Sequence, residues 1–515
     1  MKFNKLFYTT FIATVIVTAG CKKDSFDINK NPDDITDASI SPSVLLPGAL
    51  QATSSQIAGE WWFISWWMGH GARSGSYQSF TEEETYQFTN DFHVSVWTGL
   101  YSNANAYNLM LNKAHESGAG IYEAIGRTMK AHNFQMLVDI YNNVPYSEAF
   151  NGAGTPTPKY DKGIDIYKDL FKQLDTAIAL LSDEELIDAS KNPEIESTDL
   201  VYAGDVHMWM KFINTLRLRM IVHLHSGMTG SSSVPGIDIP EQVSKITEDG
   251  FIGAGESAVL NPGFSGTKPQ PYFRFFNTNE NGTTSQRDWA RASEYAIKYY
   301  NWDGDPRVDQ FYVKPSGGHK GIIFGTPSGD DAPIGSALST VRGPGLSPDG
   351  AESRAWILTS FESYFLQAEA RHRGVISSGP SALDLVNAGI TESFVFLGLT
   401  EDDALDYLDY NATYPDVDYS AADNGLETIL SQKWFALNSI APYEIWTDYR
   451  RTGMVYGAPG GFDDGPTISI DPGNTATSIP VRLFYPQNEY NYNATNVEAE
   501  GTIDVFTNKI FWDLN

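Results

Sequence analysis

Apolar side chains recur three and four residues apart over long stretches of this chain, the spacing of one face of an α-helix. From Ile164 they fall at Tyr167, Leu170, Phe171, Leu174, Ala177, Ile178 and Leu181. A second run (Val206, Trp209, Phe212, Ile213, Leu216, Met220) follows Asp205, whose carboxylate suits an N-cap. Phe361, Tyr364, Phe365, Ala368 and His372 make a third. A less regular fourth, Ile125, Met129, Met136, Leu137, Ile140 and Tyr141, is ended by Pro145. Strict apolar–polar alternation, the mark of a half-buried strand, is scarce. Polar stretches rich in Gly, Pro, Asn and Ser separate the helical runs, notably 228–285, 313–352 and 457–478. The pattern predicts a single mostly α domain over residues 41–515 with long functional loops and little sheet. The runs near 124–141 and 163–182 are offset by about forty residues, as a helix-hairpin array would allow.

The first residues have a different pattern. Lys2 and Lys5 precede a mostly apolar segment, Phe7–Val17, too short to span a bilayer as a helix, which needs roughly 20 residues. Thr18, Ala19 and Gly20 then lead to Cys21, the only cysteine. The arrangement resembles a bacterial lipoprotein signal. On that reading residues 1–20 are removed, Cys21 carries lipid, and residues 21–40 form a polar tether to the membrane.

Composition narrows the chemistry. The formal charge of −29 becomes −31 once the two leader lysines are gone, which disfavours nucleic acid and anionic lipid surfaces as partners of the body. With its one cysteine acylated, the chain has no disulfide, thiol nucleophile or thiolate zinc site. No H-E-x-x-H, G-x-S-x-G or G-x-x-x-x-G-K-[ST] occurs. Paired carboxylates for glycoside hydrolysis leave no sequential trace, so a surface glycoside hydrolase stays open as an alternative.

Several segments are recognisable together. They are MKAHNFQMLVDIYNNVPYSEAF (129–150), PKYDKGIDIYKDLFKQLDTAIALL (158–181), GDVHMWMKFINTLRLR (204–219), SYFLQAEARHRG (363–374), QKWFALNSIAPYEIWTDYRRTGM (432–454) and IPVRLFYPQNEYNYN (479–493). In order and spacing they resemble the SusD/RagB family of outer-membrane nutrient-binding lipoproteins, in its second SusD-like subgroup. The resemblance spans nearly the whole chain after Cys21. It implies a scaffold of tetratricopeptide-like helix hairpins and a binding role without catalysis. It also implies a partner: a SusC-type TonB-dependent outer-membrane transporter, over which the lipoprotein closes as a lid. The implied cargo is an oligosaccharide or, as in RagB-type members, a peptide. The signature segments read physically as scaffold. Arg217 and Arg219 flank an apolar stripe and need carboxylate or carbonyl partners if buried. Arg450-Arg451-Thr452-Gly453 suits a helix C-terminus, with Gly453 as the cap.

Aromatic segments outside the scaffold are candidates for ligand contact. Trp61–Met68 reads WWFISWWM, and on a helix Trp62/Trp66 and Phe63/Trp67 form four-spaced pairs. A buried helix accounts for them; alternatively Trp66 or Trp67 reaches a surface and stacks on a sugar ring. Tyr77, Phe80 and Tyr86 lie in a following segment rich in Gly and Ser that reads as a flexible binding loop. Tyr272, Phe273, Arg287 and Trp289 lie in a second such region, 270–289. Flat rings for sugar faces, with amide and guanidinium groups for hydroxyls, are what a carbohydrate site needs, although loop aromatics tucked onto the body fit equally. Residues 401–423 hold eight carboxylates and no Lys or Arg. They lack EF-hand spacing and read as a solvated face, so no cofactor or metal is expected, structural calcium being the open alternative. Asp303–Arg307 reads as a turn.

Overall fold

The long helices follow the apolar stripes. In the computed structural model, which describes residues 40–228, 234–277, 289–329, 332–343, 350–453, 466 and 468–515, they are α1 (Pro42–Gly59), α2 (Trp62–Trp67), α3 (Val94–Ser117), α4 (Gly120–Tyr141), α5 (Gly163–Leu181) and α6 (Val206–His223). After α7 (Pro271–Phe276) and α8 (Glu294–Trp302) come α9 (Ser360–His372), α10 (Ala382–Phe396), α11 (Glu401–Tyr410), α12 (Gly425–Ala436) and α13 (Pro442–Thr452). Consecutive helices pack as hairpins: α3 on α4, α4 on α5, α9 on α10, α10 on α11. Further packing of α6 on α5 and α9 joins the two groups, and Pro42–Asn515 forms one unit. This is the mostly α hairpin scaffold that the periodicity and the family resemblance predict.

Local chemistry explains the boundaries. The Asp205 carboxylate accepts from the His207 and Met208 amides at 2.9 and 3.1 Å, as an N-cap should. Helix α13 starts with Pro442 at its first turn and stops at Gly453, whose φ of 65° is the left-handed conformation glycine tolerates. The α3–α4 hairpin depends on Gly126: a Cβ there would sit 2.8 Å from the Leu111 Cβ, so only glycine lets the two helices approach this closely.

Among the described residues every strand is two or three residues long, too short to show a period of two. Strands β1 (Gly71–Arg73), β5 (Ala290–Ala292), β7 (Thr340–Val341) and β6 (Tyr312–Val313) form an antiparallel sheet in that order. Its pairs include Gly71↔Ala292, Arg291↔Thr340 and Tyr312↔Val341. The remaining strands make two-stranded ladders, β2 (Val144–Pro145) with β3 (Tyr160–Asp161), and β4 (Ala258–Val259) with β8 (Trp356–Leu358). The four-stranded sheet gathers segments that the sequence shows only as separate loops.

The core where α4, α6, α9, α12 and α13 meet is ionic. Arg219 binds Glu362 at 2.5 Å and lies 3.6 Å from Glu444; Arg451 binds Glu369 through both nitrogens at 2.6 Å, and also Asp448. Lys433 pairs with Asp448 at 2.8 Å and Arg373 with Glu369 at 2.7 Å. His223 bridges Asp139 (3.0 Å) and Glu444 (2.9 Å). Arg219, Arg373, Arg451, Lys433 and His223 thus face Asp139, Glu362, Glu369, Glu444 and Asp448. Burial alone would lower the His223 pKa, but the flanking Glu444 and Asp139 outweigh it and raise it to about 9. Arg217 is likewise paired, with Asp175 at 2.6 Å and Gln242 at 2.8 Å. Both arginines thus have carboxylate partners, although Arg217 Nε and Arg219 Nη1 are buried without a hydrogen bond to a described residue.

Candidate functional site

Three segments distant in sequence converge on one aromatic cluster. Trp62, at the head of α2, meets Trp66 (ring centroids 4.8 Å apart), Trp289 (5.2 Å), Phe80 (6.1 Å) and Phe275 (6.1 Å, stacked). Phe80 packs edge-on against Trp289 at 5.2 Å. Trp66 and Trp289 are buried beneath, with Tyr272 and Phe276 beside them, while Trp62, Phe80 and Phe275 are half-buried at the rim. The four-spaced pairs form as expected, Phe63 meeting Trp67 at 5.1 Å.

The loop carrying Tyr77 is anchored, which corrects its reading as a wholly flexible segment. Arg73, in β1, is fully buried and pairs with Glu84 at 3.1 Å. Its remaining donors reach the carbonyls of Ser74 (3.1 Å), Tyr77 and Thr326 (2.8 Å). Glu84 in turn accepts from the Phe80 amide at 3.2 Å. Burial pushes the Glu84 carboxyl up to about 7, and Arg73 offsets this only in part. The result is a clamp at both ends of residues 74–80. Ser76, Tyr77 and Gln78 project from it, Tyr77 with 38% of its surface exposed.

The nine candidate residues therefore separate. Tyr77, Phe80 and Phe273 have surface to offer, and Phe273 lies against Gly350. Trp66, Tyr272 and Trp289 are buried and support the rim from below. Trp67 and Tyr86 turn to another side, where Trp67 stacks near Phe92 at 6.0 Å and Tyr86 meets Phe506 at 6.3 Å. Arg287 and Cys21 lie outside the described residues. Trp62 and Phe275 lie in the same two aromatic segments but are not among the nine; the Trp62/Trp66 spacing is the signal that points to Trp62. Arg274, between Phe273 and Phe275 on α7, is exposed.

Other concavities suit a sugar less well. A cavity of about 20 Å³ under Trp62 and Trp66 has room for about one water. It is flanked by His70, whose burial lowers its pKa to about 3 and keeps the ring neutral. A groove of about 610 Å³ between α1 and α3 is lined by small and apolar groups such as Gly48, Ala52 and Gly99, with no aromatic face. Among the described residues, no group of three or more His, Cys, Asp or Glu side chains is placed to hold a metal. The acidic stretch is solvated as expected at Glu401, Asp402, Asp403, Asp406 and Asp409, but Asp416 is buried, against that reading.

A helical-hairpin scaffold presenting an aromatic rim on loops gathered by a small sheet defines a binding protein. The chain belongs to the second SusD-like family, described as starch-binding and associating with the outer membrane, whose model matches residues 36–486. This is a family of nutrient-binding proteins, not of enzymes, and the expectation that the chain has no catalytic activity rests on that membership. No curated protein matches the sequence. Among solved structures, a chitin-binding SusD homologue from Flavobacterium johnsoniae is 22% identical with a TM-score of 0.71, covering 91% of this chain and 99% of its own. A SusD/RagB family protein from Bacteroides thetaiotaomicron is 20% identical with a TM-score of 0.71, covering 93% and 100%. A further chitin-binding protein is 23% identical with a TM-score of 0.70, covering 92% and 100%. At these identities the likeness is one of fold. No helix among the described residues is long and apolar enough to cross a membrane.

Proposed function

We propose that this protein is a cell-surface lipoprotein, held to the outer membrane by lipid on Cys21. It captures an oligosaccharide and passes it to a SusC-type TonB-dependent transporter, over which it acts as the lid. The observation that carries the ligand reading is the convergence of Trp62, Phe80 and Phe275 into one half-exposed rim. Flat rings on an anchored frame are already ordered before binding, so stacking on a sugar face costs little conformational entropy. The polar tip of the neighbouring loop, Ser76 and Gln78, supplies hydrogen bonds to hydroxyls. The chitin-binding names of two proteins of the same fold support a glycan as the class of ligand.

Calorimetry of the purified protein against chitin-, starch- and xylan-derived oligosaccharides, with a peptide mixture in parallel, tests this reading. Binding to one glycan class is expected. Replacing Tyr77 by Ala should weaken it by roughly fivefold, since each stacked ring contributes on the order of 1 kcal/mol. Tyr77 is exposed, so the variant should fold normally. Binding to peptides alone would replace the carbohydrate by the peptide cargo and keep the lid role.

A further inference from the structure

Asparagine followed by glycine lets a chain react with itself. The glycine nitrogen, with no neighbouring Cβ to hinder it, attacks the asparagine Cγ and closes a five-membered imide. Three such pairs occur, Asn151-Gly152, Asn281-Gly282 and Asn424-Gly425. Asn281-Gly282 lies outside the described residues. The other two sit in opposite surroundings.

Asn424 is held at both ends of its carboxamide. Its Oδ1 accepts from the Leu426 amide at 3.1 Å, capping α12, and its Nδ2 donates to the Met228 carbonyl at 2.8 Å. Gly425 is buried, and a Cβ there would fall 2.2 Å from the Tyr419 ring. Bringing the Gly425 nitrogen onto the side chain would undo the cap and the packing together.

Asn151 has neither restraint. Residues 151–154, in the loop between β2 and β3, are all exposed. Gly152–Gly154 make one 3-10 turn, to which Asn151 gives no side-chain cap, and its carboxamide is hydrogen-bonded to no described residue. Two backbone bonds brace the turn, from the Gly154 amide to the Asn151 carbonyl at 3.0 Å and from the Thr155 amide to the Gly152 carbonyl at 3.3 Å. Ring closure must swing the Asn151 ψ away from its 1°. Nothing lies within 4 Å of the place a Gly152 Cβ would take, so the turn has room for that motion.

We propose that Asn151 is a site of spontaneous deamidation in the folded protein, and that the fold protects Asn424 from the same reaction. Solvent base takes the Gly152 amide proton, and the nitrogen bonds to the Asn151 Cγ. The Cγ–Nδ2 bond breaks, and Nδ2 takes up a proton and leaves as ammonia. Water then opens the imide. Breaking the new N–Cγ bond gives aspartate at position 151. Breaking the bond from the Gly152 nitrogen to the Asn151 carbonyl carbon gives isoaspartate, with one methylene more in the backbone. Either product adds a negative charge to the loop.

Peptide mapping by mass spectrometry, on purified protein incubated native and unfolded in guanidinium chloride side by side, tests the site. In the native protein, aspartate and isoaspartate should accumulate at position 151 and not at 424. Accumulation should be faster in weakly alkaline than in weakly acid buffer, because the attacking amide must lose its proton. In the unfolded chain both positions should react, which assigns the protection of Asn424 to the fold. Gly152→Ala, which puts a methyl beside the attacking nitrogen, should lose most of the product at 151. A native chain still intact at Asn151 when the unfolded chain has reacted there would overturn the proposal. Equal rates at 151 and 424 in the native chain would do the same.

Discussion

His223 is held by carboxylates on both sides, and its two ring nitrogens are both committed. Asp139 is drawn on further by the Tyr167 hydroxyl (2.5 Å) and the Trp512 indole (2.7 Å), while Glu444 is held well below the usual carboxylate range because Arg219 and His223 outweigh its burial. The histidine titrates at 6.5 when unfolded and at about 9 when folded. Its folded pKa is the higher one, so its stabilising contribution is complete below pH 6.5 and is lost as pH rises through about 9. Such a shift corresponds to about 3 kcal/mol. Urea midpoints taken from pH 6 to 9.5 should fall across this window. His223→Gln should be less stable at pH 6 and show a flatter profile. An equally steep profile in the variant would assign the loss to other groups.

At the scale of elements, stripes were legible wherever a helix keeps one face in water. Helix α5 buries Tyr167, Leu170, Phe171, Leu174, Ala177 and Leu181, as its spacing predicts. Helix α4 is buried on nearly every side, and its polar positions Glu123, His132, Gln135 and Asp139 face other elements, which blurs the period. The ionic core was legible only in part: Arg219 called for partners, but Glu362 and Glu444 come from segments over a hundred residues away. Two elements invite direct tests. Gly126→Leu should force α3 and α4 apart and cost about 1–3 kcal/mol in chemical denaturation. Arg73→Ala should strip the clamp from residues 74–80, cost about 3 kcal/mol and open that loop to limited proteolysis. If the loop stays as resistant as in the parent, Arg73 is not what orders it.

For the whole molecule, the aromatic segments were readable as chemistry, but which rings face outward was not. That choice is made by strands of two and three residues and by packing among segments about two hundred residues apart, neither of which leaves a period in the sequence. The proposed mechanism also has two ends in the sequence. The rim lies in the body, whereas the anchor, Cys21, precedes a polar stretch that leads into it. A single acyl chain binds membranes only marginally, so stable retention calls for the multiple acylation of a lipoprotein cysteine. Binding and retention should then separate cleanly. Cys21→Ala should release the protein from outer-membrane fractions and abolish glycan uptake by cells, while calorimetry on the released protein gives unchanged affinity. Uptake that persists with the protein unanchored would mean that contact with the transporter alone holds the lid, and that the lipid serves only to place the protein in the membrane.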